Sequence, residues 1–107
     1  MEDNLKKGKQ TALISYIPIV GAIIAIFMNS ETQNSFASFH IRQSLGIFLS
    51  WFALGYFVGG FDNWGVTAGF YTFLFILWLY GFVSAVQGEQ KPIPFIGEFF
   101  QKLLKNL

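Results

Sequence analysis

Cysteine is absent from the chain and histidine occurs once, at position 40. The first absence excludes disulfides, thiolate catalysis and cysteine zinc sites. The second leaves no histidine pair for a metal, and no carboxylate lies three or four residues from His40 to help hold one. Charge is scarce too, at 12% of 107 residues, where an ordinary soluble domain carries roughly a quarter. The net charge is +1 and no basic run is interleaved with aromatics, so nucleic acid is not an expected partner. The carboxylates, Glu2, Asp3, Glu31, Asp62, Glu89 and Glu98, fall in tails and links. No nucleophile with a base and no carboxylate pair is discernible, so neither an enzyme nor a cofactor protein is expected.

What the chain has instead is apolar bulk: 53% hydrophobic and 20% aromatic residues. Its charges leave three uncharged stretches, Gln10 to Ser30 (21 residues), Gln43 to Phe61 (19) and Asn63 to Gly88 (26). A spanning helix needs about 20 predominantly apolar residues. The second and third stretches are apolar on every side, which suits lipid, since a chain of this length cannot build a core large enough to hide them.

The expected fold is therefore a single all-α membrane domain: a polar tail over 1–9, membrane helices over 10–28, 35–60 and 65–87, and an amphipathic surface helix over 94–107. Asn34 and Ser35 suit the N-cap of the second helix, and Gly59 to Gly65 forms a short hairpin loop with Trp64 as an interfacial anchor. In the last segment, apolar positions 95, 96, 99, 100, 103, 104 and 107 cover about half a helical wheel, opposite Glu98, Gln101, Lys102 and Lys105. Lys6, Lys7 and Lys9 before an apolar run resemble a signal peptide, but no Ala-x-Ala site follows, so the run is expected to be retained.

The first helix has two readings. As a full crossing it sets three basic residues against four across the membrane. As a re-entrant hairpin broken at Pro18 and Gly21 it gathers all seven on one face and leaves the 61–66 loop with none, as the positive-inside rule favours.

Small residues recur at four-residue spacing, which lets helices approach closely; Gly21, Gly46, Gly55, Gly59, Gly81 and Ala85 are the candidate packing positions, with Gly55/Gly59 the first choice for a seam between copies. The densest polar group at membrane depth is His40, Arg42, Gln43 and Ser44. It is a candidate interface, with Arg42 reaching phosphates and Gln43 bonding a neighbouring helix as the plainer alternative. Membrane lipids, a second copy or a membrane-protein partner are the expected partners.

Three landmarks, Ala12-Leu-Ile-Ser-Tyr-Ile-Pro-Ile-Val-Gly21, Phe39-His-Ile-Arg-Gln-Ser-Leu45 and Ala85-Val-Gln-Gly-Glu89 followed by Pro92 and Pro94, resemble the small bacterial membrane proteins of the Tic-twenty-like group. Some of these are labelled import component proteins, after the channel-forming subunit of the chloroplast inner-envelope translocon; related ones form a domain family of unknown function. The resemblance implies a multi-pass protein of the bacterial cytoplasmic membrane, linked to protein transport and without catalytic residues. The plant proteins have four membrane helices, whereas this sequence offers three and a surface segment. An oligomeric pore or small-solute carrier is the alternative function.

Overall fold

The computed structural model describes residues 2–107, with side chains described from Lys6 onward except at positions 31 and 32. The carboxylates of Glu2, Asp3 and Glu31 and the first residue of the tail thus lie outside the described residues. Five helices and no strand are present among the described residues: α1 (Glu2–Ser15), α2 (Val20–Thr32), α3 (Ser35–Gly59), α4 (Trp64–Val86) and α5 (Gly97–Leu103).

Two of these, α3 and α4, are long and apolar enough to cross a membrane. At 1.5 Å per residue they measure about 37 and 35 Å, against roughly 30 Å of bilayer hydrocarbon. The expected third spanning helix, 10–28, is not continuous: α1 stops at Ser15 and α2 starts at Val20. Pro18 accounts for the break, because it has no N–H to give and its ring would clash with the Ile14 carbonyl if the helix ran on. Tyr16 N–H and Ile17 N–H instead close tighter turns onto Leu13 and Ile14, and Ile19 takes φ 61. Gly21 completes the reversal, since a side chain there would meet the Ile14 carbonyl and Ile17. Helix also reaches upstream into the polar tail expected over 1–9, for α1 begins at Glu2.

α1 runs alongside α3 in the same direction: Gly8 lies beside Asn34, Ala12 packs with Phe36, and Tyr16 touches His40. α2 folds back, so that Ala25 packs with Ala37 and Ile41, and Asn29 Nδ2 donates to Ser38 Oγ at 2.8 Å. Asn34 caps α3 by accepting from Ala37 N–H, as its position suggests. Asn63 does the same for α4 through Val66 N–H. α4 returns antiparallel to α3, with Trp51 against Tyr71 and Gly81 against Gln43.

One end of the molecule thus holds the start of α1, the α2–α3 link and the turn at Gly88, while the other holds residues 60–63; the C-terminal segment packs back along α3 and α4, with Phe95 near Phe73 and Phe100 over Gly46. The main core lies where α3, α4 and the C-terminal segment meet: Ile47, Phe48, Leu74, Leu77, Ile93 and Phe100. The amphipathic segment is helical only over Gly97–Leu103, shorter than the expected 94–107 because Pro92 and Pro94 precede it and Phe95 takes φ 75. Its Phe100 covers Gly46 of α3, whereas Phe95, Phe99 and Leu103 are exposed.

A buried polar cluster as candidate functional site

α4 ends in a turn that shapes the whole cluster. Gly88 adopts φ 74 and gives its N–H to Ala85 O, while Glu89 N–H reaches back to Ser84 O. This is a Schellman closure, which needs a left-handed residue and therefore favours glycine. The turn aims the Glu89 carbonyl inward, where it accepts from Ser84 Oγ at 2.9 Å and meets His40 Nε2 at 2.7 Å. Gly88→Ala is expected to destabilise the fold by about 1–2 kcal/mol, the cost of a left-handed residue with a Cβ, read as a lower unfolding midpoint in detergent.

The direction of each bond follows from chemistry. A carbonyl only accepts, so His40 Nε2 carries the hydrogen and, in the neutral ring, Nδ1 accepts. The Tyr16 hydroxyl, 2.7 Å away, donates to it. Tyr16 Oη in turn accepts from Gln43 Nε2 at 3.0 Å, and Gln43 Oε1 accepts from Ile93 N–H at 2.7 Å. Trp78 Nε1 donates to Tyr16 O at 2.8 Å. The chain of donors therefore runs from Ile93 through Gln43 and Tyr16 to His40 and Glu89, joining α1, α3, α4 and the segment after it. Tyr16, His40 and Gln43 are fully buried, where an unpaired polar group costs about 1–3 kcal/mol. Aromatic edges close the cluster: Phe36, Phe39 and Tyr16 each meet the His40 ring edge-on.

The four residues singled out in the sequence separate. His40 and Gln43 belong to this cluster. Ser44 is fully buried but only bonds back to Ile41 O within its own helix. Arg42 points elsewhere, donating to Lys105 O at 2.9 Å and lying 3.5 Å from Gln101 Oε1; Gln101 Nε2 donates to Phe39 O. These contacts fasten the C-terminal segment to α3. Gln43 bonds Tyr16 in the turn that follows α1.

Among the packing candidates, Gly81 faces Tyr16 and Gln43, Gly46 lies under Phe100, Gly55 sits near Tyr71, and Ala85 is fully buried with Tyr16 and Phe36. Gly59 has nothing within 4 Å of where a Cβ would stand.

Sequence reasoning missed Tyr16, Trp78 and Ser84. The available signal for the first two was type: tyrosine and tryptophan inside apolar helices need a partner for the O–H or N–H. No group of three or more metal-ligating side chains occurs among the described residues. The chemical capacity of the cluster is cohesive: each polar atom of His40 and Gln43 that could meet a substrate is engaged with the protein. Comparison with family models, curated proteins and solved structures finds no match to this chain.

Proposed function

We propose that this chain is a small, non-enzymatic integral membrane protein, crossing the bilayer twice through α3 and α4 and carrying α1 and α2 as a re-entrant helical hairpin, and that it serves as a component of a membrane assembly such as a protein-transport complex. The observation that carries the reading is α4: its 23 residues hold no charge, and only 17% of its most apolar window is buried against the rest of the protein. A core helix of a soluble protein would be mostly covered; this one presents Phe75, Ile76, Leu79 and Val83 to its surroundings.

Three further features support it. The turn at 16–19 stands level with the middle of α3, beside Ile47, Phe48 and Trp51; its exposed residues Ile17, Ile19 and Val20 are apolar, and the N–H groups of Tyr16, Ile17 and Val20 and the Tyr16 carbonyl are hydrogen-bonded within the protein, as broken backbone at that depth requires. All seven basic residues fall at the end opposite the 60–63 loop, which holds only Asp62. Tyr56, Phe61 and Trp64 are exposed around that loop, as aromatic anchors at an interface are. The Tic-twenty-like resemblance, the bacterial cytoplasmic membrane and the link to protein transport form part of the same proposal.

The expected result of carbonate extraction followed by vesicle flotation is that the chain stays with lipid; recovery in the aqueous fraction would refute the reading. The orientation has its own test. Placing lysines at Gly60 and Asn63 is expected to reduce correctly inserted protein severalfold in a protease-protection assay, since basic residues resist translocation; unchanged insertion would contradict it.

An oligomeric pore or carrier is the second reading, favoured by the hairpin that ends at mid-depth. Among the described residues, the pocket at the turn is lined by apolar side chains and tryptophan and gives one copy no polar conduit at mid-depth, so a path would form between copies. Protein-dependent solute flux from liposomes, abolished by Gly55→Leu with Gly59→Leu, would favour the pore. Absence of flux under any gradient is the outcome expected here.

A further inference from the structure

The charged end of the molecule contains a half-open polar cavity of about 740 Å³, lined by the end of α2, the start of α3, Gln90 and the last residues of the chain. Arg42 and Lys105 line it, together with Asn29, Ser30, Gln33 and Ser38, and no aspartate or glutamate does among the described residues. Arg42 is held in place by the Lys105 carbonyl, and its buried Nε has no hydrogen-bond partner among the described residues. That atom is sealed from the cavity; it is the Nη N–H groups left over by the Lys105 and Gln101 contacts whose planar geometry suits a phosphate.

We propose that this cavity binds the phosphate of an anionic phospholipid, with Arg42 as the principal ligand and Lys105 as the second cation. The inference rests on the membrane reading above and deepens it. Position supplies the lipid: Arg42 lies seven residues into α3, about 10 Å from its start, at the end that carries all the basic residues. Charge selects the kind of lipid, because a zwitterionic head group would bring a third cation into a cavity that already has two and, among the described residues, no carboxylate side chain. Ser30 of α2 and Ser38 of α3 also line the cavity and offer hydroxyls to the polar remainder of the head group.

The test uses the full-length protein in a neutral detergent, titrated with phosphatidylglycerol, phosphatidylcholine or inorganic phosphate while the unfolding midpoint is followed. Phosphatidylglycerol is expected to raise the midpoint of the wild type and of Lys102→Gln, whose lysine lies outside the cavity. In Arg42→Gln the half-saturating concentration should rise roughly tenfold or more, the loss of one charge-assisted hydrogen bond. Circular dichroism checks that this variant folds; Arg42→Lys, which keeps the charge and loses the fork, should lie between the two. Equal shifts with phosphatidylcholine, an unaltered response in Arg42→Gln and Arg42→Lys, or saturation by inorganic phosphate alone would each overturn the lipid site. Flotation is scored separately: a chain that floats without a phosphatidylglycerol-selective shift loses the site and keeps the membrane reading, whereas one that does not float loses both.

Discussion

Gly81→Leu is expected to cost about 3 kcal/mol or more and to separate α1 from α4. A Cβ at position 81 would stand 2.8 Å from Tyr16 Oη, 2.9 Å from Gln43 Nε2 and 3.0 Å from Tyr16 Cε1, closer than real Cβ contacts allow. The phenol cannot retreat, because its own carbonyl holds Trp78 and its ring is packed edge-on against Trp78 and Phe82. Overpacking of this kind costs about 1–3 kcal/mol, and displacing Tyr16 leaves His40 and Gln43 with unpaired atoms at about 1–3 kcal/mol more. Gly69→Ala is the matched control, since nothing lies within 4 Å of its Cβ position. There the helix propensity of alanine should leave the protein unchanged or up to about 1 kcal/mol more stable. Denaturant titration in detergent micelles reads both; similar effects for the two variants would show that the contact at Gly81 does not hold the helices together.

The second large effect is expected at Gln43. Gln43→Leu keeps the volume roughly constant and removes both the donor to Tyr16 and the acceptor for Ile93 N–H. Ile93 is buried, so its N–H is left without a partner, at about 1–3 kcal/mol. His40→Phe strips the other end of the same chain: the Tyr16 hydroxyl loses its acceptor, while the Glu89 carbonyl keeps the Ser84 hydroxyl. If the donors form one connected chain, the double variant should cost less than the sum of the singles by roughly 0.5–3 kcal/mol, because the second change breaks bonds the first has already weakened. Strict additivity would show that His40 and Gln43 act independently. Loss of the C-terminal segment from α3, detected as faster proteolysis after Gly88, is the expected structural consequence.

How much of this was legible beforehand depends on the range of the interaction. Local signals were readable: Asn34 as a cap, Gly88 with Pro92 and Pro94 as the end of α4, and uncharged runs of spanning length all act through neighbours in sequence. Pro18 and Gly21 marked a weak point in the first helix, but whether a proline kinks a membrane helix or reverses it depends on what packs behind it. Here Tyr16 anchored by Trp78, and Ala25 received by Ala37 and Ile41, make reversal the stable outcome. The polar density around His40 was visible as density. Its purpose was not, because two of its partners are the backbone carbonyl of Glu89 and the backbone N–H of Ile93, about 50 residues away and without side-chain identity. The amphipathic end reads as a 13-residue surface helix; the structure spends Phe100 on Gly46 and Arg42 on the Lys105 carbonyl, contacts that no helical wheel displays.

The central claim is that α1 and α2 form a hairpin entering and leaving the membrane from the face that also carries the C-terminus. The chain has no cysteine of its own, so single cysteines at Lys6, Ser30, Asn63 and Asn106 can be labelled with an impermeant maleimide in intact cells and in inverted vesicles. Positions 6, 30 and 106 are expected to label from one face and 63 from the other. Labelling of position 6 from the face opposite to 30 and 106 would mean that residues 10–28 cross the bilayer completely, and would contradict the re-entrant account.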